Sequence, residues 1–239
     1  MKVCVIGTGQ MGKTLAEVLH ERGDEVHISR EITSTCPPEF DVLIDFSHPA
    51  NLQDILTYGC THQMPIVIAT TGYTDEQYET IVAASQQLPI LYSGNYSLGV
   101  IVMQQLVRAA SNILSNNFDI EIIEKHHNKK IDAPSGTAKM LLEAAKPSAA
   151  YDVINGRVGT AKRGAKEIGV HAIRGGTIVG EHEVLFAGDD EVLSIKHEAA
   201  SKSIFAKGAI HGAEWLIDKP VGLYSMEDVL FGASLDGKL

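Results

Sequence analysis

The chain has 239 residues, with 44% hydrophobic and 21% charged positions and a net charge of −10, a length worth about 1.6 domains. This composition excludes disordered, fibrous and low-complexity classes. The acidic balance argues against nucleic acid or a membrane surface as partner, so an anionic ligand must meet a local basic cluster.

Residues 2–6 form a β-branched apolar run that stops at Gly7, and Leu15, Val18 and Leu19 then fall at helical spacing over 13–21. Residues 25–29 and 41–46 read as the second and third strands. Only about a dozen residues lie between them, Pro37 and Pro38 among them, which leaves no room for a crossover helix of ordinary length. A helix over 51–59, a strand over 66–69, a helix over 74–87 and a strand over 90–93 continue the alternation, which predicts a parallel, doubly wound sheet.

After Asn95 the texture changes. The spacing predicts a long helix over 98–114, a strand over 118–124 and a helix over 138–145, with a Pro/Ser/Gly turn before the last. Residues 147–167 are polar, Gly-rich and aperiodic, and read as a loop. Residues 168–199 read as an antiparallel meander turning at 188–190, and 203–217 returns to helix. The expected architecture is α/β: a Rossmann-like parallel-sheet domain from residues 1–97 plus 205–239, with an inserted α+β domain at 98–204. Cys4, Cys36 and Cys60 have neither CxxC nor zinc-ligand spacing, and an odd count suits a reducing compartment. No apolar run reaches the ~18 residues of a membrane span, so a cytoplasmic protein without a bound metal is expected.

Two stretches carry chemistry. Gly7, Gly9 and Gly12 form GTGQMG directly after the first strand and at the opening of a helix, where main-chain N–H groups and the helix dipole receive a pyrophosphate. The second strand ends Ser29, Arg30, Glu31. Arg30 suits a 2′-phosphate and Glu31 a ribose hydroxyl, although both can also be plain exposed strand-end residues. The other stretch, EKHHNKKIDAPSGTAK over 124–139, places His126, His127, Lys125, Lys129 and Lys130 ahead of Ser135, Gly136 and Thr137 at a helix start. Imidazole can act as a general acid near neutral pH, lysine can donate to a carboxylate or an imine nitrogen, and the SGT turn can receive an anion. By itself HHxxK is more often a solvated loop. Ala69–Gly72 and Asn95–Ser97 follow the fourth and fifth strands, where open α/β sheets bind ligands. Arg174, Gly175 and Gly176 read as a turn, and His171, His182 and His197 as structural.

The motifs VIGTGQMG (5–12), DFSHP (45–49), ATTG (69–72), GNYSLGV (94–100), EKHHNKKIDAPSGTA (124–138) and RGGTIVGEHEVLF (174–186) resemble those of the dihydrodipicolinate reductase family of bacterial diaminopimelate and lysine synthesis, along essentially the whole chain. The resemblance implies that His126 is the general acid and that Lys130 is a second donor to the substrate nitrogen and a carboxylate. It puts His127 beside the substrate, with Gly136 and Thr137 on the other carboxylate. Gly7, Gly9, Gln10, Met11 and Gly12 would surround the cofactor pyrophosphate and Arg30 the adenosine ribose, with Ala69, Thr70, Thr71, Ser93, Gly94, Asn95 and Tyr96 near the nicotinamide. The implied substrate is a cyclic, dicarboxylated, conjugated imine. Reduction by NADPH in preference to NADH is expected, since Ser29 stands where many relatives carry an acid. The resemblance further implies that the inserted domain binds substrate and builds a homotetramer, and closure about residues near 97 and 204 is expected of such an enzyme. Ala69, Ser93, Gly94 and Lys202 depart from the family's usual residues. An open-chain amino-acid reductase of the homoserine or aspartate dehydrogenase type is the rival reading; its members lack the HHxxK and SGTA pairing.

Overall fold

Strands β1 (Lys2–Ile6), β3 (Val42–Asp45) and β4 (Ile66–Ile68) are fully buried beyond Lys2 and, but for Asp45 at the end of β3, apolar on both faces, as central strands of a helix-covered parallel sheet must be. The structure, a computed structural model, describes residues 1–33, 36, 38–148 and 150–232; Pro37 and the 233–239 end of the predicted first domain lie outside the described residues. The described residues divide into two compact units, Met1–Leu98 with those from Lys202 onward, and Gly99–Ser201.

In the first unit, β2 (Glu25–Ser29), β5 (Pro89–Tyr92) and β11 (Gly222–Tyr224) complete a six-stranded sheet in the order β11-β5-β4-β3-β1-β2, every pairing parallel. The chain moves from β1 to one side and then to the other, so a ligand crevice falls at the carboxyl ends of β1 and β3. Helices α1 (Gln10–Glu21), α2 (Leu52–His62), α3 (Asp75–Ala84) and α6 (Ser203–Leu216) pack about this sheet. The α3 start is a capping box in which Thr74 and Gln77 exchange hydrogen bonds, satisfying two otherwise open N–H groups. Ile6, Leu43, Ile55, Ile66, Ile68, Ile81 and Ile90 form one core. Between β2 and β3 the described residues contain no helix, as the short spacing requires. β11 and the six-residue α7 (Met226–Phe231) are too short to leave a periodic signal in the sequence.

The second unit holds α4 (Leu98–Leu114, its first residue in the first unit), β6 (Asp119–His126), α5 (Gly136–Ala145), β7 (Asp152–Asn155), β8 (Glu167–Arg174), β9 (Gly180–Ala187) and β10 (Val192–Ala199). Its sheet order is β10-β9-β6-β8-β7, and this overturns the expected meander. β8 runs parallel to β6, β9 antiparallel to β6, and only β9 and β10 form an antiparallel hairpin. Alternation marks a strand and its buried face but does not identify its neighbour. The isoleucine-rich β6 takes the centre, and β8 and β9 flank it. The loop expected over 147–167 also contains a strand: β7 pairs parallel with β8 at the sheet edge, with Val153 and Ile154 only half buried. Helices α4 and α5 supply Met103, Val107, Leu141 and Ala145 to a core with Ile120, Ile122, Val184 and Phe186. Ile123, Ile173, Leu185 and Val192 share the opposite face of the sheet, which no helix covers among the described residues.

Candidate active site

Along β6 the buried positions are Ile120, Ile122 and Glu124, so period-two geometry puts an acid where the pattern calls for a third apolar residue. Glu124 is fully buried, and such a group persists only when paired and hydrogen-bonded. Both terminal nitrogens of Arg174, from β8, donate to its two oxygens at 2.7 and 2.8 Å. The main-chain N–H of Ser135 donates to Oε1 at 3.0 Å, and Oε2 lies 2.6 Å from Nδ1 of His126, two residues along the same strand. Arg174 also donates to the carbonyl oxygen of Asp132, tying the turn of the DAPSGT segment to the sheet.

Ser135 is the N-cap of α5 and accepts the N–H of Ala138 at 3.1 Å. Its hydroxyl lies 3.0 Å from Nε2 of the buried His182, whose ring meets His126 edge-on at 5.2 Å between centroids. Gly136 opens the helix with nothing within 4 Å of where a Cβ would stand. The helix start is therefore sterically open at Gly136, where an anion can approach the main chain. Lys130 is held to Asp132 at 2.7 Å. His127 has a buried Nδ1 with no hydrogen-bond partner among the described residues, and its carbonyl oxygen accepts the Lys130 N–H.

Burial pushes the Glu124 carboxyl upward, but the hydrogen bonds from Arg174, His126 and Ser135 outweigh it and hold the group below its usual range. Burial lowers His126, opposed by its bond and charge interaction with Glu124 and assisted by the nearby Lys130 and Arg174. His182 is pushed down to about 4, chiefly by burial and then by His126, so it is neutral at pH 7. The site thus contains one imidazole braced by a carboxylate, whose Nε2 edge faces Gly180; a Cβ there would lie 3.2 Å from that nitrogen. With its Nδ1 on an anion, such a ring presents Nε2 for proton exchange.

The first unit carries a cleft of about 340 Å³, with Gly7, Gly9, Arg30, Ser47, His48 and Asn51 among its walls. Gly7 has φ +121°, and a Cβ there would sit 2.2 Å from the Phe46 carbonyl oxygen; one on Gly12 would sit 1.8 Å from that of Gly7. Gly9 has open space around it, so the turn is closed against the protein and open toward a ligand. This is the fit a dinucleotide pyrophosphate requires. Arg30 is exposed and Asn51 donates to its carbonyl oxygen. Lys202 donates to the Gln10 side chain at 3.0 Å.

Ala69, Thr70, Thr71, Ser93, Gly94, Asn95 and Tyr96 follow β4 and β5, outside the walls of that cleft. The hydroxyl of Thr70 accepts the N–H of Ser47, Asn95 accepts that of Ser97, and the buried Tyr96 hydroxyl bonds to the carbonyl oxygens of Ile68 and Leu91. These three side chains brace the strand ends. Beneath them Asp45 is buried, accepting from Ser47 and Tyr73, with its carboxyl raised by burial.

Sequence reasoning missed Glu124, Arg174 and His182 as parts of the site. The first had a usable signal, an acid in phase with Ile120, Ile122 and His126. Arg174 and His182 reach the same spot through pairings of β8 and β9 with β6 that alternation does not specify.

Residues 22–96 match the family described as dihydrodipicolinate reductase, N-terminus, and residues 99–230 its C-terminus. A 4-hydroxy-tetrahydrodipicolinate reductase of Exiguobacterium sp. is 45% identical over 238 residues, 96% of this chain and 95% of its own. One from Brachyspira hyodysenteriae is 44% identical over 232 residues, covering 96% and 100%. Among solved structures, a dipicolinate-bound dihydrodipicolinate reductase from Paenisporosarcina sp. TG-14 superposes with a TM-score of 0.76 at 20% identity over 96% of this chain and 99% of that one, a likeness of fold. A match over residues 99–230, more than half of the chain, a second over 22–96, and relatives of near-equal length at this identity leave one assignment: the chain belongs to the dihydrodipicolinate reductase family.

Proposed function

We propose that this chain reduces 4-hydroxy-tetrahydrodipicolinate, by way of the dihydrodipicolinate left on loss of water, to tetrahydrodipicolinate in the diaminopimelate route to lysine, using NADPH in preference to NADH. Family membership supports the reaction, and the observation that carries it is His126 held through Nδ1 by buried Glu124 beside the open helix start at Gly136. When bound, the nicotinamide supplies a hydride to the conjugated imine. Gly7, Gly9, Gln10, Met11 and Gly12 hold its pyrophosphate, Arg30 binds the 2′-phosphate, and the turns at 69–72 and 93–96 flank the ring.

The proton that completes the reduction comes from the chain. His126 donates it from Nε2, and the anionic Glu124 stabilises the imidazolium before transfer. Gly136 and Thr137 bind one substrate carboxylate at the α5 N-terminus. Lys130 exchanges Asp132 for the other carboxylate and the ring nitrogen, and His127 lines the site. The helix-free face of the second sheet, with Ile123, Ile173, Leu185 and Val192, supports assembly into a homotetramer, and the protein works in the cytoplasm.

The test is loss of nicotinamide absorbance with substrate generated from pyruvate and aspartate semialdehyde, with NADPH and NADH in parallel. Turnover that falls at least ~10²-fold in His126→Gln and in Lys130→Ala, the scale of a lost general acid, is expected. No turnover despite measurable NADPH binding overturns the reading.

A further inference from the structure

Glu124 reaches both halves of the substrate site. One oxygen meets the His126 ring, and the other accepts the N–H of Ser135, the cap of the helix that begins with Gly136 and Thr137. Ser135 touches His182, and His182 touches His126, so the four residues close a ring around one carboxylate. Arg174 clamps that carboxylate through both terminal nitrogens. Well-packed apolar residues would fill such a place at no loss of stability, and a buried ion pair is weak as a stabilising device. The arrangement makes sense as a means of holding geometry.

We propose that Glu124 is a positioning residue that locks the proton donor His126 to the carboxylate-binding turn at Ser135–Thr137, so that a single buried carboxylate fixes the spacing between acid and anion receptor. This rests on the substrate reading above, in which His126 donates the proton and Gly136 with Thr137 hold a carboxylate. The lock accounts for the otherwise unexplained acid in the apolar phase of β6, and for the contact between the cap of α5 and a neutral histidine on β9. It also predicts that disturbing Glu124 is felt at two places, the ring and the turn.

The charged and titratable groups around the His126 ring are Glu124 on its own strand, Lys130 in the following loop, Arg174 on β8 and His182 on β9, with His197 of β10 opposite His182. Glu124 is the acid in this set. In Glu124→Gln the His126 titration midpoint, followed by NMR of the histidine ring carbons in the full chain without substrate or cofactor, is expected to fall by ~1–3 units. The acid-dependent limb of the kcat/KM profile should move the same way. Affinity for pyridine-2,6-dicarboxylate, measured by calorimetry, should weaken ~10-fold as the Ser135 turn loses its anchor.

A folded Gln variant with an unmoved His126 midpoint and a dicarboxylate Kd within twofold of wild type overturns the proposal. Should Glu124→Gln fail to fold, Glu124→Asp is read instead. It keeps the charge but withdraws the carboxylate by about 1.5 Å, so one or both partners must be lost. Unchanged His126 titration and unchanged dicarboxylate affinity there also overturn the lock. A wild-type chain that binds the dicarboxylate and shows the Glu124-dependent titration, yet turns over no substrate, refutes the reaction and leaves the lock standing. A wild type that does not bind the dicarboxylate refutes the lock.

Discussion

Gly9→Ala separates cofactor binding from folding. Gly9 is the N-cap of α1 with φ −71° and ψ −173°, a conformation open to alanine, and a Cβ there has nothing within 4 Å. Removing a glycine's unfolded-state freedom stabilises by ~0.4–1 kcal/mol; alanine is a poorer N-cap by a similar amount, about 0.5–1 kcal/mol. The two nearly cancel, so Tm should move by no more than about 2 °C at the ~2–4 °C per kcal/mol expected for this chain length. The new methyl nevertheless occupies the space through which a pyrophosphate approaches the main chain. Loss of even one close contact of that kind should weaken NADPH at least ~10-fold, or 1.4 kcal/mol. Calorimetric titration with NADPH beside a melting curve reads both quantities. Gly12→Ala is the contrast, because its Cβ would lie 1.8 Å from the Gly7 carbonyl oxygen, main chain that no rotamer change can clear, and it should lose ~1–3 kcal/mol or more of stability. Wild-type NADPH affinity in a well-folded Gly9→Ala protein would refute the placement of the pyrophosphate at this turn.

Arg30→Ala should raise the KM for NADPH about 10-fold or more while leaving that for NADH within twofold, as expected for loss of a charged contact to the 2′-phosphate; equal effects on both cofactors would remove Arg30 from that role. Burial holds His182 at about 4 against 6.5 for an ordinary histidine, so between those values the unfolded chain binds the extra proton. Stability from this group is fully present above about pH 6.5 and is lost as pH falls toward 4, a change of about 3 kcal/mol. The fall in Tm from pH 7 to 4 should therefore be shallower in His182→Asn, and an unaltered slope would contradict the assignment. Ile173 is 45% exposed on the helix-free sheet face, and Ile173→Asp should shift sedimentation of the protein toward smaller species; an unchanged distribution would place the assembly contact elsewhere.

The parallel sheet of the first unit was legible because β1, β3 and β4 are buried on both faces and separated by helices of ordinary length. The GxGxxG turn was legible because its glycines answer steric demands local to one strand, turn and helix. The second unit was legible only as strands. Val170 and Val184 alternate in the same way, yet one belongs to a strand parallel to β6 and the other to an antiparallel one, a distinction that depends on the crossing of residues 175–179 and on no local pattern. For the same reason Arg174 looked like turn chemistry and His182 like packing. Both are brought beside Glu124 by strands that flank β6, although they are 50 and 58 positions away in the sequence.

The place of β11 bears on how the chain is made. β5 pairs on one side with β4 and on the other with β11, whose residues follow β5 by some 130 positions. Until Gly222–Tyr224 have left the ribosome, β5 is an open edge of a hydrophobic parallel sheet, with unpaired N–H and C=O groups. Gly99–Ser201 is contiguous and can fold as soon as it emerges, whereas the unit that begins first in the chain is completed last. Nascent or prematurely terminated chains therefore expose an edge that the finished protein covers, and this interval during synthesis is when association between chains is most favoured.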